Sequence, residues 1–63
     1  MAKWIEVTSN EEGNEGNKVL VNVEQIQYVA DLPNDQTMIE LVRGFIYTQN
    51  SYVDIYEKIH EAR

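Results

Sequence analysis

Cysteine is absent from this 63-residue chain, so neither a disulfide framework nor a thiolate metal site can form. His60 is the single histidine, and with Glu57 or Glu61 beside it makes too poor a set for a transition metal. Cations are scarce: five Lys and Arg face eleven Asp and Glu, a formal charge of −6. Such a surface repels phosphate backbones and anionic lipid, because binding either one relies on basic side chains. Apolar runs stop at three residues, far below the length of a membrane span. The opening "MAKWIEVTSN" carries one lysine and no apolar stretch, unlike a signal peptide. These absences lead to the expectation of one small cytoplasmic domain over residues 1–63, without membrane or direct nucleic-acid contact.

Short alternating segments fill the chain. "KWIEVT", residues 3–8, puts Ile5 and Val7 on one side and Trp4 and Glu6 on the other, the period of a strand. "KVLVNV", residues 18–23, repeats the pattern with Val19, Val21 and Val23 against Leu20 and Asn22. β-Branched residues dominate both, as suits a half-buried pleated surface. After a bend near Glu24, residues 26–31 set Ile26, Tyr28 and Ala30 against Gln27 and Val29. "LPNDQ" is turn chemistry, because Pro fixes φ and Asn and Asp accept left-handed backbone. Strands at residues 37–43 and 45–48 follow, separated by the turn at Arg43 and Gly44.

The period then changes. Tyr52, Ile55, Tyr56 and Ile59 recur at i, i+3, i+4 and i+7, the stripe of a helix over residues 51–61. Ser51 with Asp54 three residues later fits an N-terminal cap, and Lys58, His60 and Arg63 suit the negative end of the helix dipole. The fold class expected is α+β: an antiparallel β-meander of four to five strands with one C-terminal helix packed on one face. Ile5, Val7, Val19, Val21, Val23, Ile26, Tyr28, Ile39 and Leu41 would line the covered face, with Tyr52 and Tyr56 also in the core. The opposite face would carry Trp4, Leu20, Val29, Met38 and Val42. Phe45 and Tyr47, or else Ile46, would join them, depending on how the Gly44 turn sets the register.

No constellation for catalysis is present. Ser51 is committed to capping, Ser9 is remote from His60, and nothing joins a nucleophile to an oriented base. The segment "SNEEGNEGN", residues 9–17, is rich in oxygen ligands, yet its spacing around Gly13 lacks the terminal Glu of a calcium loop. It reads as the solvated, mobile tip of a hairpin. Catalytic, cofactor-binding and metal residues are therefore all expected to be none, and the chain is read as no enzyme.

A set of residues spread over 19–60 resembles a known family. Asn22 ends a strand and leads to Glu24 and Ile26. Thr37, Ile39, Leu41 and Gly44 make a T-x-I-x-L-x-x-G strand and turn, and Ser51, Asp54, Ile55 and Ile59 mark the capped helix. This pattern is similar to the FlbD family of small flagellar proteins, and the central part also resembles half of a LytTR DNA-binding domain. The first resemblance implies a non-enzymatic protein with a role in motility. The first hairpin loop here is longer and more acidic than in that family.

The functional expectation is a small regulatory or protein-interaction module that self-associates, or docks a protein partner, through the sheet face opposite its helix. Trp4, Leu20, Val29, Met38, Val42 and Tyr47 would form that interface, since Trp and Tyr are common interface anchors. The alternative is an acidic inhibitor of phage origin that imitates nucleic acid through Glu11, Glu12, Glu15, Asp31 and Asp35.

Overall fold

A computed structural model describes residues 3–62. The chain runs β1 (Trp4–Thr8), β2 (Lys18–Asn22), a 3₁₀ turn (Val23–Gln25), β3 (Ile26–Leu32), β4 (Gln36–Leu41), β5 (Gly44–Thr48) and α1 (Tyr52–Ala62). The fold is α+β, with all strand pairs antiparallel and the helix packed on the strands.

The strands do not form the single meander that the alternation suggested. They form a β1–β2 ladder and a separate β3–β4–β5 ladder. The division falls at the 3₁₀ turn. There the Asn22 side chain accepts a 3.0 Å bond from the Glu24 N–H, a local bond that competes with continued pairing. Val23 donates to the Lys3 carbonyl at 2.8 Å and Val42 to that of Gln25 at 3.0 Å. The chain thus leaves one ladder and enters the other within three residues.

Both ladders contribute to one small core. Ile5, Val7, Val21, Val23, Ile39 and Ile55 are buried, and Val19, Ile26, Val29, Leu41, Ile46, Ile59 and Ala62 pack around them. Ile39 and Ile55 have no exposed surface, so truncating either to alanine would cost on the order of 2–5 kcal/mol. The helix meets this core through Ile55, Ile59 and Ala62, spaced i, i+4 and i+7. Tyr52 and Tyr56 flank that stripe instead of joining it, and both are exposed.

A bulge changes the face of β3. Ile26 pairs with Leu41 but Tyr28 pairs with Glu40, so Gln27 is an extra residue. Every later side chain is therefore inverted from simple alternation. Val29 turns inward beside Ile39, whereas Tyr28 and Ala30 turn outward. On β5, Ile46 lies opposite Ile39 on the core side and Phe45 and Tyr47 project outward, which settles the register that Gly44 left open. Gly44 itself has φ +139°, a conformation few other residues adopt. Asn34 and Asp35 take left-handed backbone (φ 67° and 59°) in the β3–β4 turn, the tolerance expected of those residue types.

The two ladders meet at one place. Ser9 bridges to Thr48, Gln49 donates to the Thr8 carbonyl at 2.9 Å and Asn10 to the Tyr47 carbonyl at 3.0 Å. Asn50 is the centre of this junction. Its Oδ1 accepts the Thr8 N–H at 2.7 Å, and its Nδ2 donates to Asp54 Oδ2 at 2.6 Å. The fully buried Thr48 hydroxyl lies 2.8 Å from the Thr8 carbonyl and 2.7 Å from Asn50 Oδ1, and its one proton serves one of them at a time. That hydroxyl also accepts the Asn50 N–H at 3.1 Å. Ser51 Oγ accepts the Asp54 N–H at 3.1 Å, so the same cluster caps the helix.

Removing Asn50 strands the Thr8 N–H and releases Asp54. Asn50→Ala should cost about 2 kcal/mol, and Thr48→Val about 1 kcal/mol because Gln49 still serves the Thr8 carbonyl. Urea unfolding followed by circular dichroism checks both, and a change near zero for Asn50→Ala would contradict its place at the junction.

Candidate functional site

The residues expected on one outward face are divided among several surfaces. Trp4 and Leu20 lie on the outer side of the β1–β2 ladder, 53% and 63% exposed. Met38 and Tyr47, paired with each other, lie on the outer side of the three-stranded ladder. Val42 sits in the β4–β5 turn, and Val29 packs against the core. The bulge at Gln27 removes Val29 from the outward set and replaces it with Tyr28.

The outer face of the three-stranded ladder is consequently aromatic. Tyr28, Glu40 and Phe45 form one cross-strand row, and Ala30, Met38 and Tyr47 form the next. Phe45 and Tyr47 meet edge to face, with centroids 5.5 Å apart and planes at 79°. No helix covers this face, because α1 packs on the core side through Ile55 and Ile59.

A second feature lies at the edge of this ladder. Tyr47 turns its N–H and C=O away from β4, donating to Glu11 Oε1 at 3.3 Å and accepting from the Asn10 N–H at 3.0 Å. That fixes the phase of hydrogen bonding through the ladder. Thr37 and Ile39 bond to β5, Met38 and Glu40 bond to Ala30 and Tyr28, and Val29 and Asp31 aim their own N–H and C=O at the open edge of β3. Between that edge and α1 is a cleft of about 430 Å³, lined by Tyr28, Val29, Tyr52, Tyr56, Ile59 and His60. Tyr56 and His60, one helical turn apart, stack with planes 5° from parallel. A cleft of about 440 Å³ adjoins it at Tyr52 and includes Asp31 and Asp35.

Strand alternation assigned Tyr28 to the core and the helical stripe assigned Tyr52 and Tyr56, yet they are 52%, 40% and 61% exposed. A helix with two isoleucines and an alanine on one line presents that aliphatic line first, and this spacing was legible at 55, 59 and 62. No comparable signal marked the bulge.

The oxygen-rich loop between β1 and β2 is more ordered than a slack tip. Ser9 donates to the Asn17 carbonyl at 2.8 Å, Gly16 to that of Ser9 at 2.9 Å and Asn14 to that of Glu11 at 2.9 Å. Glu15 accepts the Gly13 N–H at 3.2 Å. Two of its three carboxylates thus bond backbone amides. Among the described residues, no three His, Asp or Glu side chains gather as a metal site, and no helix is long and apolar enough to cross a membrane. Comparison with family models, curated proteins and solved structures yields no match.

Glu40 raises the Tyr28 phenol above its ordinary value, first by accepting the hydroxyl's hydrogen bond and then by its negative charge. The folded chain therefore holds this proton more tightly than the unfolded chain does. The resulting stabilisation is complete below pH about 10 and is lost as pH rises through the elevated value. Glu40→Gln should return Tyr28 to the range of an ordinary tyrosine, as read from its ring resonances during an alkaline NMR titration. An unchanged titration would remove Glu40 as the cause.

Proposed function

We propose that this chain is a non-catalytic protein-interaction module that self-associates through the outer face of its three-stranded ladder. The observation that carries the reading is the edge-to-face pair of Phe45 and Tyr47 beside Met38 and Tyr28, outside the core and uncovered by the helix. Aromatic rings of this kind supply most of the energy of compact interfaces when water is excluded from them. Glu40 stands between Tyr28 and Phe45 in the same cross-strand row. A standard interface buries about 800 Å² per partner, close to a fifth of the 4505 Å² this chain exposes. For so thin a core, association would add a substantial share of the stability.

The acidic-inhibitor reading rests on the charge of −6. Glu11 and Glu15 are drawn onto backbone amides, whereas a phosphate mimic needs its carboxylates free and evenly spaced. The interaction module is the stronger reading.

Sedimentation of the purified chain from about 10 µM to 1 mM should reveal a concentration-dependent assembly, the range typical of a small interface. Phe45→Asp should return it to a monomer with its helical circular dichroism intact. Trp4→Glu, on the other ladder, should leave the assembly in place. A wild-type monomer throughout that range would overturn self-association.

A further inference from the structure

The open edge of β3 is a different surface from the sheet face above, and it carries its own inference. We propose that the slot between β3 and α1 receives one extended, cationic peptide segment, which adds to β3 as a further strand. Three observations support this.

The first is unmet backbone bonding. Val29 and Asp31 aim their N–H and C=O groups at the slot, and among the described residues no backbone partner meets them there. Backbone groups offered in alternation along an edge are the template for strand addition.

The second is shape. α1 bounds the far side of the slot through Tyr52, Tyr56 and Ile59, leaving a cleft of about 430 Å³ beside the edge. A second copy would bring another chain of charge −6 to an edge that already carries Asp31 and Asp35, which argues against that occupant. The two clefts share Tyr52 as a lining residue, with His60 in the first and Asp31 and Asp35 in the second. About seven residues of extended chain, at about 3.3 Å each, match the length of β3.

The third is charge. Asp31 and Asp35 line the second cleft, and among the described residues no Lys or Arg lines either cleft. A peptide Lys or Arg seated near Asp31 and Asp35 would also lie against the exposed Tyr52 ring, where a cation is attracted to the π face. Apolar residues at the intervening positions would face the outer side of the sheet, beside Tyr28 and Ala30.

The test uses an acetylated heptapeptide of alternating Val and Lys, compared with its Val and Glu counterpart and with a version N-methylated at alternate backbone positions. At millimolar Val/Lys peptide, hydrogen exchange of the Val29 and Asp31 amides should slow by about tenfold or more, since those N–H groups become bonded. The Tyr52 and Tyr56 ring resonances should shift with them. Asp31→Asn with Asp35→Asn should weaken binding about three- to tenfold, as should raised salt on the wild-type chain, which needs no variant to fold. Equal binding of the Glu peptide or of the N-methylated peptide would overturn the proposal, and so would no binding at millimolar concentration. Slowed exchange of the same two amides without peptide, growing with protein concentration, would assign the edge to a second copy and overturn it too.

Discussion

The structure depends on one polar junction. Thr8, Thr48, Asn50 and Asp54 exchange hydrogen bonds of 2.6–3.1 Å where β1 ends, β5 ends and α1 begins. Among the described residues, the two ladders are otherwise joined by the Ser9–Thr48 bridge, the Tyr47 bond to Glu11 and apolar contact. Apolar contact is non-directional and tolerates sliding, whereas an amide that must satisfy a strand N–H and a helix carboxylate together does not. The junction therefore sets how α1 lies, and with it the spacing between helix and β3.

That spacing explains why the aromatic residues are distributed as they are. With Ile55 fixed in the core, Tyr52 and Tyr56 fall to the flank of the helix nearest β3. The bulge at Gln27 then turns Tyr28 to the outside of the sheet, where Glu40 and Phe45 are its neighbours. Five of the six aromatic side chains, Trp4 included, thus contribute more to surfaces than to the interior. Tyrosine suits the position, because an apolar ring with a polar tip loses little when half wet.

Much of the fold was readable from residue types. Alternation located the strands, the change of period located α1, and Ser51 and Asp54 marked its start. The turn at Asn34 and Asp35 followed from their tolerance of left-handed backbone. Two features escaped for physical reasons. An inserted residue such as Gln27 leaves no mark in composition, yet it reverses every side chain after it. The separation into two ladders falls at a 3₁₀ turn held by a local Asn22 bond, a competition with pairing that alternation does not register. The candidate interface inherited both errors: Met38 and Tyr47 belong together, Val29 does not belong, and Trp4 and Leu20 occupy another ladder.

The Asn50 junction has a further consequence for synthesis. The Thr8 N–H finds its acceptor 42 positions later in the chain. Val7 and Ile5 likewise reach full burial only with Ile39 and Ile55 in place. The β1–β2 hairpin could form early, but two strands alone are marginal in water. These strands gain their final partners only once β4, Asn50 and α1 are available, and until then they are open to chaperones and to one another.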